Sequence, residues 1–168
     1  MTTGPLPDSL FLYTVAGLGL TLAGFSGLVG AFRRDSVWKP IDAFRVRQIP
    51  EMALVTTLLA LITAPLADLT RSPAAAIQIA AGLGLAFTVG HVIVLINRME
   101  RDQIQDPRAG LIQAGVLNVA IIIVASVCLA LGGSTAYEWL LILLLARPML
   151  AFALVVGDAG AGSGPGGR

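Results

Sequence analysis

Five apolar runs, each close to the length needed to cross a bilayer, leave this chain of 168 residues very few ways to fold. They span about Leu10–Phe32, Met52–Leu69, Ala74–Asn97, Ala109–Leu131 and Tyr137–Val156. A hydrocarbon core of roughly 30 Å takes about 20 helical residues. Lipid offers no hydrogen bonds, so a segment that enters it must satisfy its own backbone, as an α-helix does. The expected fold is therefore all-α: a polytopic membrane helix bundle of about five transmembrane helices. Composition agrees, with 56% hydrophobic and 12% charged residues, against about 45–50% and 25% in a typical soluble domain. The expectation is a single membrane-embedded helical domain over 1–157, followed by a flexible Gly-rich tail at 158–168. The first run reads as a span, because it lacks the basic flank of a secretory leader and exceeds the usual length of its apolar part.

Charge placement predicts orientation. Residues 33–48 and 98–108 hold eight of the eleven Lys and Arg residues. Cytoplasmic loops carry such an excess, which puts both basic loops inside and the N-terminus outside. The expected location is the bacterial inner (plasma) membrane, multi-pass, with the lipid bilayer as the first partner. Punctuation supports the boundaries. Ser72-Pro73 reads as a helix cap and first helical residue, and Pro50-Glu51 as a helix start with an acid near the positive dipole end. Gly132-Gly133 and the residues after Gly157 are expected to end helices. Between Trp38 and Arg47, apolar and basic residues alternate, which suits either a short helix on the inner surface or an aromatic-and-basic anchor.

The first run carries the clearest packing signal. At 100° per residue, Ala16, Gly19, Ala23, Ser26, Gly27 and Gly30 fall within a sector of about 100°, with bulky residues opposite. Small residues let membrane helices approach closely. This face is expected to meet either a neighbouring helix of the same chain or copies of itself around a symmetry axis. Ala16-Gly17-Leu18-Gly19-Leu20 recurs as Ala81-Gly82-Leu83-Gly84-Leu85, which raises a parallel repeat of spans one and two in spans three and four.

Arg147 is the chemical oddity. It lies midway along the last run, directly before Pro148. The eleven Leu, Ile, Phe and Val residues between Trp139 and Val156 contribute roughly −3 to −6.6 kcal/mol to insertion, against about +2.5 to +3.5 for the cation and a further cost for proline. The segment is expected to span, or else to break or re-enter at Arg147-Pro148. An intramembrane cation seldom faces lipid. It is expected to bind an anion, pair with a carboxylate, or bond to carbonyls freed by the proline. His91, Asn118 and Glu51 fall at similar expected depth, and with Arg147 they form the candidate polar cavity or permeation site. The lone His91 cannot form a site that needs several imidazoles. The lone Cys128 excludes an internal disulfide. No catalytic residue, metal, cofactor or nucleic-acid partner is expected, and an enzyme is not expected, because converging titratable groups are missing from the spans.

The run Leu22-Ala23-Gly24-Phe25-Ser26-Gly27, followed by Arg33-Arg34 and Trp38, resembles a family of small uncharacterised bacterial inner-membrane proteins. The likeness covers mainly the first forty residues and implies no activity. The expected function is a small homo-oligomeric channel or transporter-like protein. The alternative is an accessory or assembly subunit of a membrane protein complex.

Overall fold

The computed structural model describes residues 5–32, 40–101 and 108–161. Five helices account for nearly all of them: α1 (Ser9–Phe32), α2 (Pro40–Thr70), α3 (Pro73–Arg101), α4 (Arg108–Leu131) and α5 (Ser134–Ala161). Among the described residues there is no strand. The chain is an all-α helix bundle. Stretches of 22 to 25 residues in α1, α2, α3 and α5 are long and apolar enough to cross a bilayer. In α4 the described apolar stretch is Gly115–Leu131, and the whole helix of 24 residues extends about 36 Å.

The turns α2–α3 and α4–α5 are two residues each, so those pairs run antiparallel and side by side. They define one end of the bundle, here called the turn end. The opposite end, where the sequence places most of its Lys and Arg, is the basic end. The α4–α5 turn works as its sequence predicts. Gly132 adopts φ +62°, and its N–H donates to the Cys128 carbonyl at 2.8 Å, closing the last turn of α4 in the left-handed motif that favours glycine. A Cβ at Gly132 would also lie 3.0 Å from Ala74 Cβ. Ser72 caps α3 as expected, its hydroxyl accepting from Ala75 N–H at 3.3 Å, with Pro73 in the first helical position. In the α2–α3 turn Arg71 takes φ +52° without being glycine. Asp8 caps α1, its carboxylate accepting from Leu10 N–H at 3.1 Å.

Three boundaries differ from the sequence reading. Pro50-Glu51 does not start α2, which begins at Pro40 and carries Pro50 and Pro65 inside it. Pro40 occupies the first helical position, where its missing N–H costs nothing. Pro50 forfeits a single ladder bond, and the buried Ile49, Met52 and Ala53 hold that stretch in the bundle. The basic stretch from residue 40 to 50 is thus the beginning of α2 rather than a separate surface helix. Second, α5 is continuous through Arg147 and Pro148, so the last segment neither breaks nor re-enters. Third, α5 continues past Gly157 to Ala161. A glycine costs a helix only about 1 kcal/mol, and Ala159 and Ala161 are strong helix formers. Arg33, Arg34, Trp38 and residues 162–168 lie outside the described residues.

α5 occupies the middle of the arrangement. It touches α1, α2, α3 and α4, whereas among the described residues α1 packs on α2 and α5 only. The main apolar core lies toward the turn end: Leu12 and Val15 from α1, Leu59 from α2, Ile77 and Ala80 from α3, Ile121 and Ala125 from α4, and Leu140, Leu141 and Leu144 from α5. Outside this core the surface is apolar too. Among the described residues, 27 large hydrophobic side chains are exposed, spread over all five helices. Soluble monomers do not expose such continuous apolar area. The exposed hydroxyls of Thr14, Thr21 and Ser126 donate back to the carbonyls of Leu10, Gly17 and Ile122, at 2.7, 2.8 and 2.8 Å. That is how a hydroxyl facing lipid is satisfied without water. Tyr13 and Trp139 are exposed within two turns of the turn end, where interfacial aromatics belong. The molecule is an integral membrane protein.

Candidate functional site

The small-residue face of α1 meets α2 of the same chain. Gly19 is buried, and a Cβ there would collide with Thr57 Oγ1 and come within 2.8 Å of the Ala53 carbonyl. The Thr57 hydroxyl shares its proton between the carbonyls of Ala53 (2.9 Å) and Ala16 (3.3 Å), stitching the two backbones together. Ala16 and Ser26 are buried, and Ala23 and Gly30 are half-buried. A Cβ at Gly30 would touch Val46 at 4.0 Å. Gly27 departs from the set: it is exposed, with open space where a Cβ would be. The repeat suggested by the sequence has no counterpart in packing at this position. Gly84, the equivalent of Gly19, lies against Leu59 of α2 and Leu144 and Leu140 of α5 rather than against α4.

That Gly84 contact marks where three helices converge. One turn farther toward the basic end, the buried residues become polar: Thr56 on α2, Thr88 on α3 and Arg147 on α5. Depth can be read from the helical rise. Arg147 follows Ser134 by thirteen residues, and Asn118 precedes Leu131 by thirteen, so both lie about 20 Å from the turn end. Thr57, Thr56, Thr88, Ser26 and His91 fall between about 20 and 27 Å by the same count. All are buried. Of the four candidate cavity residues three are buried, Arg147 at 7% exposure, Asn118 at 6% and His91 at 8%, with the histidine some 7 Å nearer the basic end than the other two. Glu51 does not join them. It sits farther toward the basic end and is exposed.

The hydroxyls of this layer are satisfied within their own helices. Thr56 donates to Met52 O at 3.0 Å, Thr88 to Gly84 O at 2.8 Å, and Ser26 to Ala23 O at 2.8 Å. The ring of Phe87 stands 5.8 Å from that of His91. Arg147 and Asn118 are different. Arg147 Nη1 and Asn118 Oδ1 are buried and have no hydrogen-bond partner. Among the described residues, the carboxylates of Asp8, Asp68 and Glu138 lie near the turn end, and Glu51 faces outward. Among the described residues Arg147 therefore has no counter-charge at its depth. Burial of a cation without a partner is expensive in protein and in lipid alike.

The turn half holds buried and half-buried polar groups that the sequence did not single out, and these are paired. Tyr137, fully buried, donates its hydroxyl to the Leu59 carbonyl at 2.8 Å, with the Thr63 hydroxyl 2.8 Å away. Gln78 Nε2 donates to the Leu129 carbonyl at 2.9 Å, tying α3 to α4. A hydroxyl or amide in an otherwise apolar span was the available signal, since such groups are seldom left unpaired there. Among the described residues no group of three or more His, Cys, Asp or Glu side chains is placed to hold a metal ion.

No family model matches the chain, and neither a curated protein nor a solved structure is similar to it. Function must be read from the buried polar layer itself.

Proposed function

We propose that this chain is a small homo-oligomeric channel or transporter-like protein of the bacterial inner membrane, with its N-terminus outside and its basic loops in the cytoplasm. One observation carries the reading: Arg147 is buried at the level where α5 meets its neighbours, and its Nη1 has no partner. A cation maintained inside a membrane bundle at such cost, without a structural partner, marks a site that solute occupies. The charge placement supports the orientation. Flux across proteoliposomes tests the function. Wild-type protein is expected to conduct or exchange anions, and Arg147→Leu to abolish that flux while the protein still purifies as a folded species. Absence of flux with any small solute overturns the reading. Cys128 is buried, so single cysteines introduced at residues 3 and 104 can report sidedness against a quiet background.

A second reading has its own support. The outward face of α1 presents Gly17, Gly24 and Gly27 with nothing within 4 Å of a missing Cβ, and Thr21 lies between them, exposed. A second strip of small residues suits another membrane helix, as in an accessory or assembly subunit of a larger complex. Native mass spectrometry from gently extracted membranes separates the cases. A ring of identical copies supports the channel, and a fixed stoichiometry with a different protein supports the subunit.

A further inference from the structure

We infer that Arg147 and Asn118 form the binding site for a small monovalent oxyanion, such as formate, nitrate or hydrogencarbonate, held inside the bundle about 20 Å from the turn end. The inference rests on the transport reading in that it names the class of solute. Three features converge on it.

The first is charge. Arg147 is 7% exposed, and no carboxylate among the described residues lies at its depth. A single fixed positive charge in a medium that penalises net charge is neutralised by one negative charge. A divalent anion would reverse the imbalance rather than remove it. The second is hydrogen bonding. The site leaves two polar atoms unspent, Arg147 Nη1 and Asn118 Oδ1. The two ends of a carboxamide are interchangeable in position, so Asn118 offers the ligand either an acceptor or a donor. A guanidinium is planar, with forked N–H groups that match a planar oxyanion. A halide would use the charge but not the fork. The third is placement. Arg147 and Asn118 stand equally far from the α4–α5 turn on helices that pack together, and the threonines at that level have already spent their hydroxyls on their own helices. Of these four side chains, only the arginine and the asparagine retain polar atoms without a bond.

At about 20 Å from the turn end the site is also too far from that surface for a phospholipid headgroup. It is closed to lipid by the flanking helices, since both side chains are more than nine-tenths buried. A small water-soluble anion is the occupant whose charge and shape match the unspent atoms.

The test is equilibrium binding of radiolabelled formate to the full chain in nanodiscs made from zwitterionic phosphatidylcholine. The wild type is expected to bind one formate per chain, displaced by nitrate and hydrogencarbonate but not by an equal concentration of sulfate. Arg147→Met is expected to abolish binding. Asn118→Leu is expected to weaken it about tenfold, the loss that follows when a hydrogen bond to a charged group is removed. Ser126→Ala, on the lipid face, is expected to bind as wild type. Should Arg147→Met fail to fold, the displacement series on wild type and the Asn118→Leu shift still decide. No saturable formate binding, equal displacement by sulfate, or unchanged binding in the Asn118 and Arg147 variants overturns the inference. Flux measured on the same preparations separates the two readings. Binding without flux keeps the site and removes the transporter, whereas flux of cations without formate binding does the reverse.

Discussion

The two halves of this bundle treat buried polarity in opposite ways. Toward the turn end the apolar core of Leu12, Leu59, Ile77, Ile121 and Leu140 surrounds polar groups that are all spent: Tyr137 on Leu59 O, Thr63 beside it, Gln78 on Leu129 O. Toward the basic end the hydroxyls of Thr56, Thr57 and Thr88 are spent as well, but Arg147 and Asn118, also buried, keep unspent atoms. A satisfied buried group rigidifies, and an unsatisfied one costs the full price of its desolvation. One half is built to hold the helices in register. The other carries a liability that only a ligand or a partner offsets.

Substitutions can break this contrast, beginning where the effect is largest. Gly132→Val places a β-branched residue at φ +62° against Ala74. Strain and overpacking together are expected to cost about 2–5 kcal/mol, read as a large fall in the midpoint of denaturation in mixed micelles. At the basic half the sign reverses. Arg147→Met is expected to leave the protein folded and to stabilise the empty form by about 1–4 kcal/mol, the gain seen when buried charge is replaced by apolar volume. A destabilised Arg147→Met would mean that the arginine has a structural partner, and the contrast between the halves would collapse. Tyr137→Phe, which removes only the hydroxyl, is expected to cost about 1 kcal/mol by leaving the Thr63 cluster short of a donor. The smallest effect belongs to Gln78→Leu, a single bond between helices, at about 0.6 kcal/mol. Should Tyr137→Phe prove neutral while Arg147→Met destabilises, the rigid half and the labile half would have been assigned the wrong way round.

The sequence conveyed the parts of this fold that depend on local chemistry. Apolar runs of spanning length announce membrane helices because lipid leaves the backbone no other solution. Ser72-Pro73 and Gly132 announce their caps because each meets a local stereochemical demand. Arg147 stands out because cations are rare in spans. What stayed hidden depends on rotation and register between helices far apart in the chain. Tyr137 reaches Leu59 and Thr63 across more than seventy residues, and helices that are apolar all round offer no amphipathic face from which that meeting can be read. The same blindness explains Pro50, whose local preference to begin a helix was outweighed by Ile49, Met52 and Ala53 packing into the bundle. It explains Glu51 as well, which lies some 9 Å nearer the basic end than Arg147 and is exposed.

The two-residue turn at Gly132-Gly133 has a consequence for how the protein enters its membrane. A link so short cannot hold α4 and α5 apart, so during synthesis the two cross the bilayer as one helical hairpin. Arg147 and Pro148 then never meet the hydrocarbon on an isolated segment. Helix α4 enters with them and shields the cation from the first moment. An insertion of some twenty polar residues between Gly132 and Gly133 would uncouple the pair. Chains so altered are expected to leave α5 outside the bilayer in a fraction of molecules, and that failure should vanish when Arg147 is replaced by leucine.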